Sequence, residues 1–415
     1  MKRNRIIALV CTVALTATLF AGCGNKTNNT KVDDKPKVEA PAEPVTITVQ
    51  VWGSSPAETK LVDEQIAAFN TEYKEKKITL KKEVATGDYN QVMQTKIASK
   101  TETDIFYLDV SLAATYIDKK VVAPIDEYLD KEDLKDFYPN LLEGFQKDGK
   151  TYGLPKDYNS LALFYNKKMF ADAGVKPPTT WEEFEEVSKK LTKDKVKGLV
   201  LADDSARFAP FIFQAGGEIV NGEEMKFNSP EAVKGFEFYY SMIKKGYAAT
   251  PKDLGDGWPG DSLSNGKAAM AIEGGWMIPF MKEKAPDMEY GIAELPKGEK
   301  QGNLLFTVSY SMSNNTKHPK EAAEAIKFLT GKASQEMVAT SGLAIPSRIS
   351  MGTVFTDKFP ERKALVDGTK YATVFSYGLK HSKIQDALGK AGESLRLKKS
   401  ADGKAALDAA IKAAQ

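Results

Sequence analysis

The side chains here that could do chemistry are few enough to weigh singly: 2 Cys, 2 His and 4 Trp in 415 residues. His318 and His381 sit in neither an HExxH stretch nor a Cys/His ligand cluster, so no metal centre is expected. The chain has no Gly-x-Ser-x-Gly elbow, no P-loop and no Rossmann glycine pattern after its first strand. Gly255-Asp-Gly-Trp-Pro-Gly260 is glycine-rich, but in the wrong order for a phosphate cradle. A carboxylate pair for glycoside hydrolysis stays open, because its spacing is set in space and not along the chain. No cofactor is expected. The tryptophans are the informative set. Trp181 opens a helix and reads as packing. Trp276 follows Gly274-Gly275, where a backbone without side chains lets a ring face a cleft. Trp258 lies in the polar, glycine-rich loop 253–261, a place for a lid. Trp52 ends the first strand, where it either faces a ligand or packs on the next helix.

The cysteines say where the chain works. Met1-Lys-Arg-Asn-Arg5 is basic, residues 6–20 are apolar, and Ala21-Gly22 are small residues before Cys23. The apolar run is roughly 15 residues, short of the ~20 that span a bilayer as a helix. Residues 1–22 therefore read as a secretion signal. The end of it resembles the lipobox of bacterial lipoproteins, with Phe20 where that pattern usually has leucine. Cys11 leaves with the signal, so Cys23 is expected to be the mature N-terminus, carrying lipid. An ordinary signal cleaved after Gly22 is the alternative. Residues 23–44 are polar, contain prolines and lack aromatics, which makes them a flexible tether.

The elements that position the tryptophans follow from periodicity. Residues 45–51 alternate as a strand, and a helix follows from Ser54. Residues 77–84 and 104–109 read as two more strands, with a helix over 88–98 between them. This β-α-β-α-β order predicts a parallel α/β lobe, with ligands beyond the carboxyl ends of its strands. Trp52 and Asp109 stand at such ends. After Gly153-Leu-Pro155 a second unit begins, with strands at 160–165 and 196–201 and helices at 166–173, 206–215 and 231–244. Thr180 and Glu183 are spaced as a capping box for the helix that Trp181 opens. Lys+Arg 58 against Asp+Glu 56 nearly cancel, so nucleic acid is not an expected partner.

Four stretches carry a resemblance. They are Asn166-Lys-Lys-Met-Phe-Ala-Asp-Ala-Gly174 followed by Pro-Pro-Thr-Thr-Trp181-Glu-Glu-Phe, Asn265-Gly-Lys-Ala-Ala-Met270 followed by Glu273-Gly-Gly-Trp276, the helix 322–329 leading to Ser334-Gln335, and Ile345-Pro-Ser-Arg348. In this order they resemble the extracellular solute-binding proteins, family 1, of ABC sugar importers. The resemblance implies an α/β fold of two lobes, of the type II periplasmic-binding-protein kind. Each lobe would be a mostly parallel sheet flanked by helices, with the ligand cleft between. It implies an N-terminal lobe of 45–157 and 307–341, a C-terminal lobe of 158–306 and 349–415, and a hinge crossing at 342–348. Further crossings are expected near 154–159 and 304–309.

By that resemblance the ligand is a sugar or oligosaccharide, the partner is an ABC permease, and the chain is a monomer held to the membrane through Cys23. A sugar offers flat C–H faces to aromatic rings and a rim of hydroxyls to carboxylates and amides. The family counterpart of Trp276 stacks on sugar. Asn159 stands where a relative has a carboxylate, and Asp204 where it has a glutamate. Ala206 stands where that relative has an aromatic residue, and Arg207 or Phe208 would compensate. Asp109, Ser309, Tyr310, Tyr377 and His381 complete the expected ligand-binding set with Trp52 and Trp258. A non-sugar solute on the same fold, such as a peptide, amino acid or metal chelate, is the alternative, and a secreted glycoside-processing enzyme is another.

Overall fold

The computed structural model describes residues 43–53 and 55–415. The signal, Cys23, nearly all of the tether and Ser54 lie outside the described residues.

The first strand, β1 (Val45–Val51), buries Val45, Ile47, Val49 and Val51. The chain then enters the helix Pro56–Glu72. Ser55 caps it by accepting from the Glu58 amide, and Pro56 supplies a preset first-turn φ. Val62, Ile66 and Phe69 form its buried stripe. Strands β2 (Ile78–Val84) and β3 (Ile105–Asp109) both pair with β1 in parallel. The helix Tyr89–Ser99 between them is capped by Asp88. This is the β-α-β-α-β order expected from period.

Next comes β4 (Gly153–Asn166), a strand of 14 residues. The second lobe adds β5 (Leu199–Val200), β6 (Ala248–Ala249), β7 (Met270–Gly274) and β8 (Tyr290–Ala293). A second long strand, β9 (Asn303–Met312), returns, followed by the short β10 (Ile345–Pro346) and β11 (Ala372–Val374). The ladder runs β6-β5-β7-β4-β9-β3-β1-β2, with β8 and β10 also on β4 and β11 on β9. Thus β4 and β9 join the two halves of the ladder. The near end of β4 pairs with β9, and its far end lies between β7 and β8. The last residues of β9 pair with β3. The expected strand 196–201 contracts to Leu199–Val200 in the ladder.

Both sheets are covered on both faces, as parallel sheets require. Ile105 and Tyr107 point into one core of the first lobe, and Phe106 and Leu108 into another. Leu161 and Leu163 of β4 enter one core of the second lobe, with Ala162 and Phe164 on the opposite side.

Trp181 is buried. It stacks on Phe238 at 4.0 Å, and its indole N–H donates to Gln214 Oε1 at 2.6 Å. The expected capping box is shifted by one residue. Thr180 Oγ1 accepts from the Glu183 amide, but Glu183 Oε2 accepts from Thr179 N and Oγ1, both at 2.7 Å.

Candidate functional site

A cavity of about 420 Å³ opens where β4 and β9 run side by side between the lobes. The first lobe lines it with Trp52, Glu58, Tyr107, Asp109 and Tyr310, and the second with Trp276 and Phe306. Lys156, Asp157 and Asn159 of β4 form its floor. Another cavity, about 450 Å³, is bounded by Ala114, Asn140, Gly144 and Val374, and has no tryptophan. The first is the candidate, because it brings two tryptophans and several polar side chains to one space.

Trp52 is braced edge-on by Tyr107 at 4.9 Å and Tyr89 at 5.6 Å. Asp109 ends β3 and caps the helix Val110–Asp118. Its Oδ1 accepts from Ser111 N at 2.9 Å and Ser111 Oγ at 2.5 Å. Trp276 stands just beyond β7, at the start of the helix Met277–Lys284. Its indole N–H donates to Glu273 Oε2 at 2.8 Å, and Phe306 meets the ring edge-on at 5.4 Å. The double glycine is required here. A Cβ on Gly274 would lie 2.4 Å from the Trp276 ring, and one on Gly275 would lie 2.3 Å from Asn159 Oδ1.

The floor departs from strand alternation. Val308 pairs with Asp157 but Ser309 pairs with Pro155, leaving Lys156 as the extra residue of a β-bulge. Neighbours on a strand ordinarily face opposite ways. The bulge turns Lys156 and Asp157 to the same cavity. Pro155 has no N–H for the ladder at this point. The loosened carbonyls are taken up elsewhere: Pro155 O accepts from Ser347 Oγ at 2.6 Å, and Lys156 O from Gln335 Nε2 at 2.7 Å. Lys156 is ion-paired with Asp157, and Glu58 is 3.8 Å from its ammonium. Its Nζ also sits 5.0 Å from the centre of the Tyr107 ring. Burial opposes its charge, but Asp157 and Glu58 outweigh that and raise its pKa. Burial likewise raises the Asp157 carboxyl, against the pull of Lys156.

Of the residues expected from sequence, Trp52, Asp109, Asn159, Tyr310 and Trp276 line this cavity. Arg207 and Asp204 stand behind Trp276. Asp204 caps the helix Ser205–Gln214, and Arg207 makes a two-pronged ion pair with Glu273 at 2.8 and 3.3 Å. The structure does not bring the other four to the lining. Ser309 is fully buried, and its hydroxyl pairs with that of Ser311 at 2.8 Å. Tyr377 and His381 are buried and stacked on each other, and the Tyr377 amide donates to His381 Nδ1 at 3.1 Å. Burial lowers the His381 pKa. Trp258, expected as a lid, instead stands at the start of the helix Pro259–Ser264 and meets Phe280 edge-on at 4.6 Å. Glu58, Tyr107, Lys156, Asp157, Glu273 and Phe306 were not foreseen. Pro155 inside a strand-like run was the signal for the bulge, and Glu273 lay within the stretch that singled out Trp276.

Residues 64–365 match the family model described as bacterial extracellular solute-binding protein, well over half of the chain. This chain belongs to that family. It is 28% identical over 270 residues to a putative binding protein of Brucella abortus, covering 61% of this chain and 65% of that protein. The chain thus spans slightly under two thirds of the length of that relative. It is 24% identical over 370 residues to the multiple sugar-binding protein of Streptococcus mutans, covering 82% of each. Among solved structures it resembles an ABC substrate-binding protein of Listeria monocytogenes in complex with cycloalternan. The TM-score is 0.78 at 23% identity, over 89% of this chain and 98% of that one. That likeness establishes the two-lobed fold, and membership places the working chain outside the cytoplasm. Among the described residues no helix is long and apolar enough to cross a membrane.

Proposed function

We propose that this chain captures a sugar or oligosaccharide between its lobes and delivers it to an ABC permease, tethered meanwhile to the membrane by lipid on Cys23. The observation that carries this reading is the pair Trp52 and Trp276, one from each lobe, facing a cavity floored by Asp157 and Asn159. Rings supply flat apolar faces, and the carboxylates and amide accept from hydroxyls. The proposed lobes are 45–157 with 307–341 and 158–306 with 349–415, the last crossing at 342–348. Because ligand touches both lobes only when they approach, it favours the closed arrangement by its differential affinity. β4 and β9, which lie side by side at the middle of the ladder, are the natural pivots. No bond is made or broken, so no turnover of glycans is expected. Relatives that bind sugars support this assignment.

The test is tryptophan fluorescence of the full-length protein, in a detergent without a sugar headgroup, titrated with a panel of neutral mono- and oligosaccharides. A saturable change with one of them supports the reading. Saturation with an amino acid, peptide or metal chelate instead would overturn the carbohydrate assignment while keeping the fold.

Charge in the cavity predicts a selectivity. Among the described residues lining the cavity, Glu58, Asp109 and Asp157 face one cation, Lys156, which is already paired. A glycan carrying a carboxylate or phosphate should therefore bind about 10-fold or more weakly than its neutral counterpart at pH 7, like charges across a contact being costly. Competition titrations check this, and equal affinities would contradict it. The lipid is tested separately. Cys23→Ala should move the protein from the membrane fraction to the medium or periplasm, because acyl chains contribute about 0.8 kcal/mol per buried CH₂. Membrane retention of that variant, measured by fractionation, would rule out the anchor.

A further inference from the structure

We propose that Glu273 is a positioning residue that fixes the plane of the Trp276 ring, with Arg207 serving as its buried counter-charge. This rests on the reading of Trp276 as a sugar platform. Glu273 is wholly buried at the end of β7. A carboxylate is carried out of water only when it is paired and hydrogen-bonded. Both of its oxygens are committed. Oε1 accepts from Arg207 Nε at 3.3 Å, and Oε2 accepts from an Arg207 terminal nitrogen at 2.8 Å and from the Trp276 indole N–H at 2.8 Å.

The third of these bonds is the informative one. An ion pair alone would satisfy Glu273 and Arg207, and it would not need a cavity-lining side chain. Instead the carboxylate holds the polar edge of the ring, with a charge-assisted bond of the stronger kind. The rest of the ring is held by shape, with the Gly274 backbone against it and Phe306 at its edge. The Arg207 guanidinium carbon stands 5.5 Å from the ring centre. Asp204 continues the chain behind, at 3.7 Å from Arg207. Burial opposes the Arg207 charge, and Glu273 more than compensates, raising its pKa further. A ring held at its edge and back loses little further freedom when a sugar stacks on it, which favours affinity.

Two double variants of the full-length protein separate the roles. Both remove the ion pair together, so neither strands a buried charge. Arg207→Met with Glu273→Gln keeps an oxygen for the indole N–H. Arg207→Met with Glu273→Leu does not. The first readout is ligand-free: the near-ultraviolet circular dichroism of Trp276, taken as the difference from Trp276→Phe. The Gln variant should keep this band, and the Leu variant should lose it. On the glycan panel, the Leu variant should bind about 10-fold more weakly and the Gln variant within about 3-fold of wild type. In a Trp276→Phe background, which has no indole N–H, the two should bind alike.

Identical bands and identical affinities for the Gln and Leu variants would overturn the proposal, as would an equal gap between them without Trp276. A wild-type protein that binds no glycan would fail the platform reading alone, since the ligand-free band still decides what Glu273 does. Where a variant does not fold, ultraviolet resonance Raman of wild type minus Trp276→Phe reads the same bond. A strongly bonded indole N–H supports the role, and a free one overturns it.

Discussion

Trp276→Ala is expected to weaken glycan binding by about 100-fold, close to 3 kcal/mol, while leaving the protein folded. The magnitude follows from what the substitution removes. A large ring that lines the cavity and is braced by Glu273 and Phe306 is the type of residue whose truncation dominates a binding surface. Stacking adds roughly 0.5–1.5 kcal/mol to the burial itself. Folding should survive because the ring is only partly buried and makes no capping bond to the helix that follows it, Met277–Lys284. Trp276→Phe should fall between the two, since it keeps a ring face and loses the N–H. Titration calorimetry with the glycan found by fluorescence gives the numbers. An unchanged dissociation constant for Trp276→Ala would remove the platform from the site.

Arg348→Ala should have the largest effect on stability, about 3 kcal/mol. The Arg348 side chain is 1% exposed and makes five contacts of consequence. It donates to Thr330 O at 2.6 Å, to both Asp133 oxygens at 2.8 and 2.7 Å, and to Asp136 at 3.3 Å, and it lies 4.4 Å over Phe137. Asp133 is 46% exposed, so water screens part of that pair, and the estimate of about 3 kcal/mol is the lower end of the range for a broken buried bridge. A chain of this size should lose roughly 3–5 °C in Tm.

The same contact carries a pH dependence. Burial opposes ionisation of Asp136, but hydrogen bonds from Ser350 and Arg348, with the Arg348 charge, outweigh it and hold the carboxyl below its usual pKa. A depressed folded pKa means the stabilisation is present above the unfolded value, about 3.9, and fades as pH falls through the folded one. Arg348→Ala should therefore unfold at lower urea than wild type at pH 7, and the gap should narrow below about pH 4. A constant gap down to pH 2 would exclude this linkage.

This contact also gives a physical account of Ile345-Pro-Ser-Arg348, which sequence marked only as a resemblance. Ser347 reaches Pro155 O and Gln335, so the stretch is fastened to the bulge in β4. It supports the cleft without lining it.

Helices and strands were legible where a local period or cap sets them. Residues 45–51 form a strand within their stated bounds, because β-branched residues alternate there. Asn166 caps its helix through the Met169 amide and Gly174 ends it at φ 60°, both visible as residue types. The single 14-residue strand β4 was not legible. Its Pro155 reads as a break, and only pairing to β9 with a bulge carries the strand through it. That Trp276 lines the cavity was legible through its position after two glycines at a strand end, whereas for Trp52 the strand end left cavity and packing equally open. The placement of Tyr377 and His381 was not, since a stacked, buried pair and an exposed pair have the same sequence.

The sequence by itself determined the parallel β-α-β-α-β order at the start of the folded body, and it raised the export signal and the role of Trp276 as expectations. These rest on period, on composition and on a tryptophan beside two glycines, all local. Tertiary structure decided which polar groups share the cavity. Lys156 and Asp157 face it together because of a bulge defined by a strand about 150 residues away, Val308 pairing with Asp157 and Ser309 with Pro155. Glu273 meets Arg207 across 66 positions, and Arg348 meets Asp133 across 215. Such contacts depend on how sheets are laid side by side, and a linear pattern with a period of two or 3.6 carries no record of them.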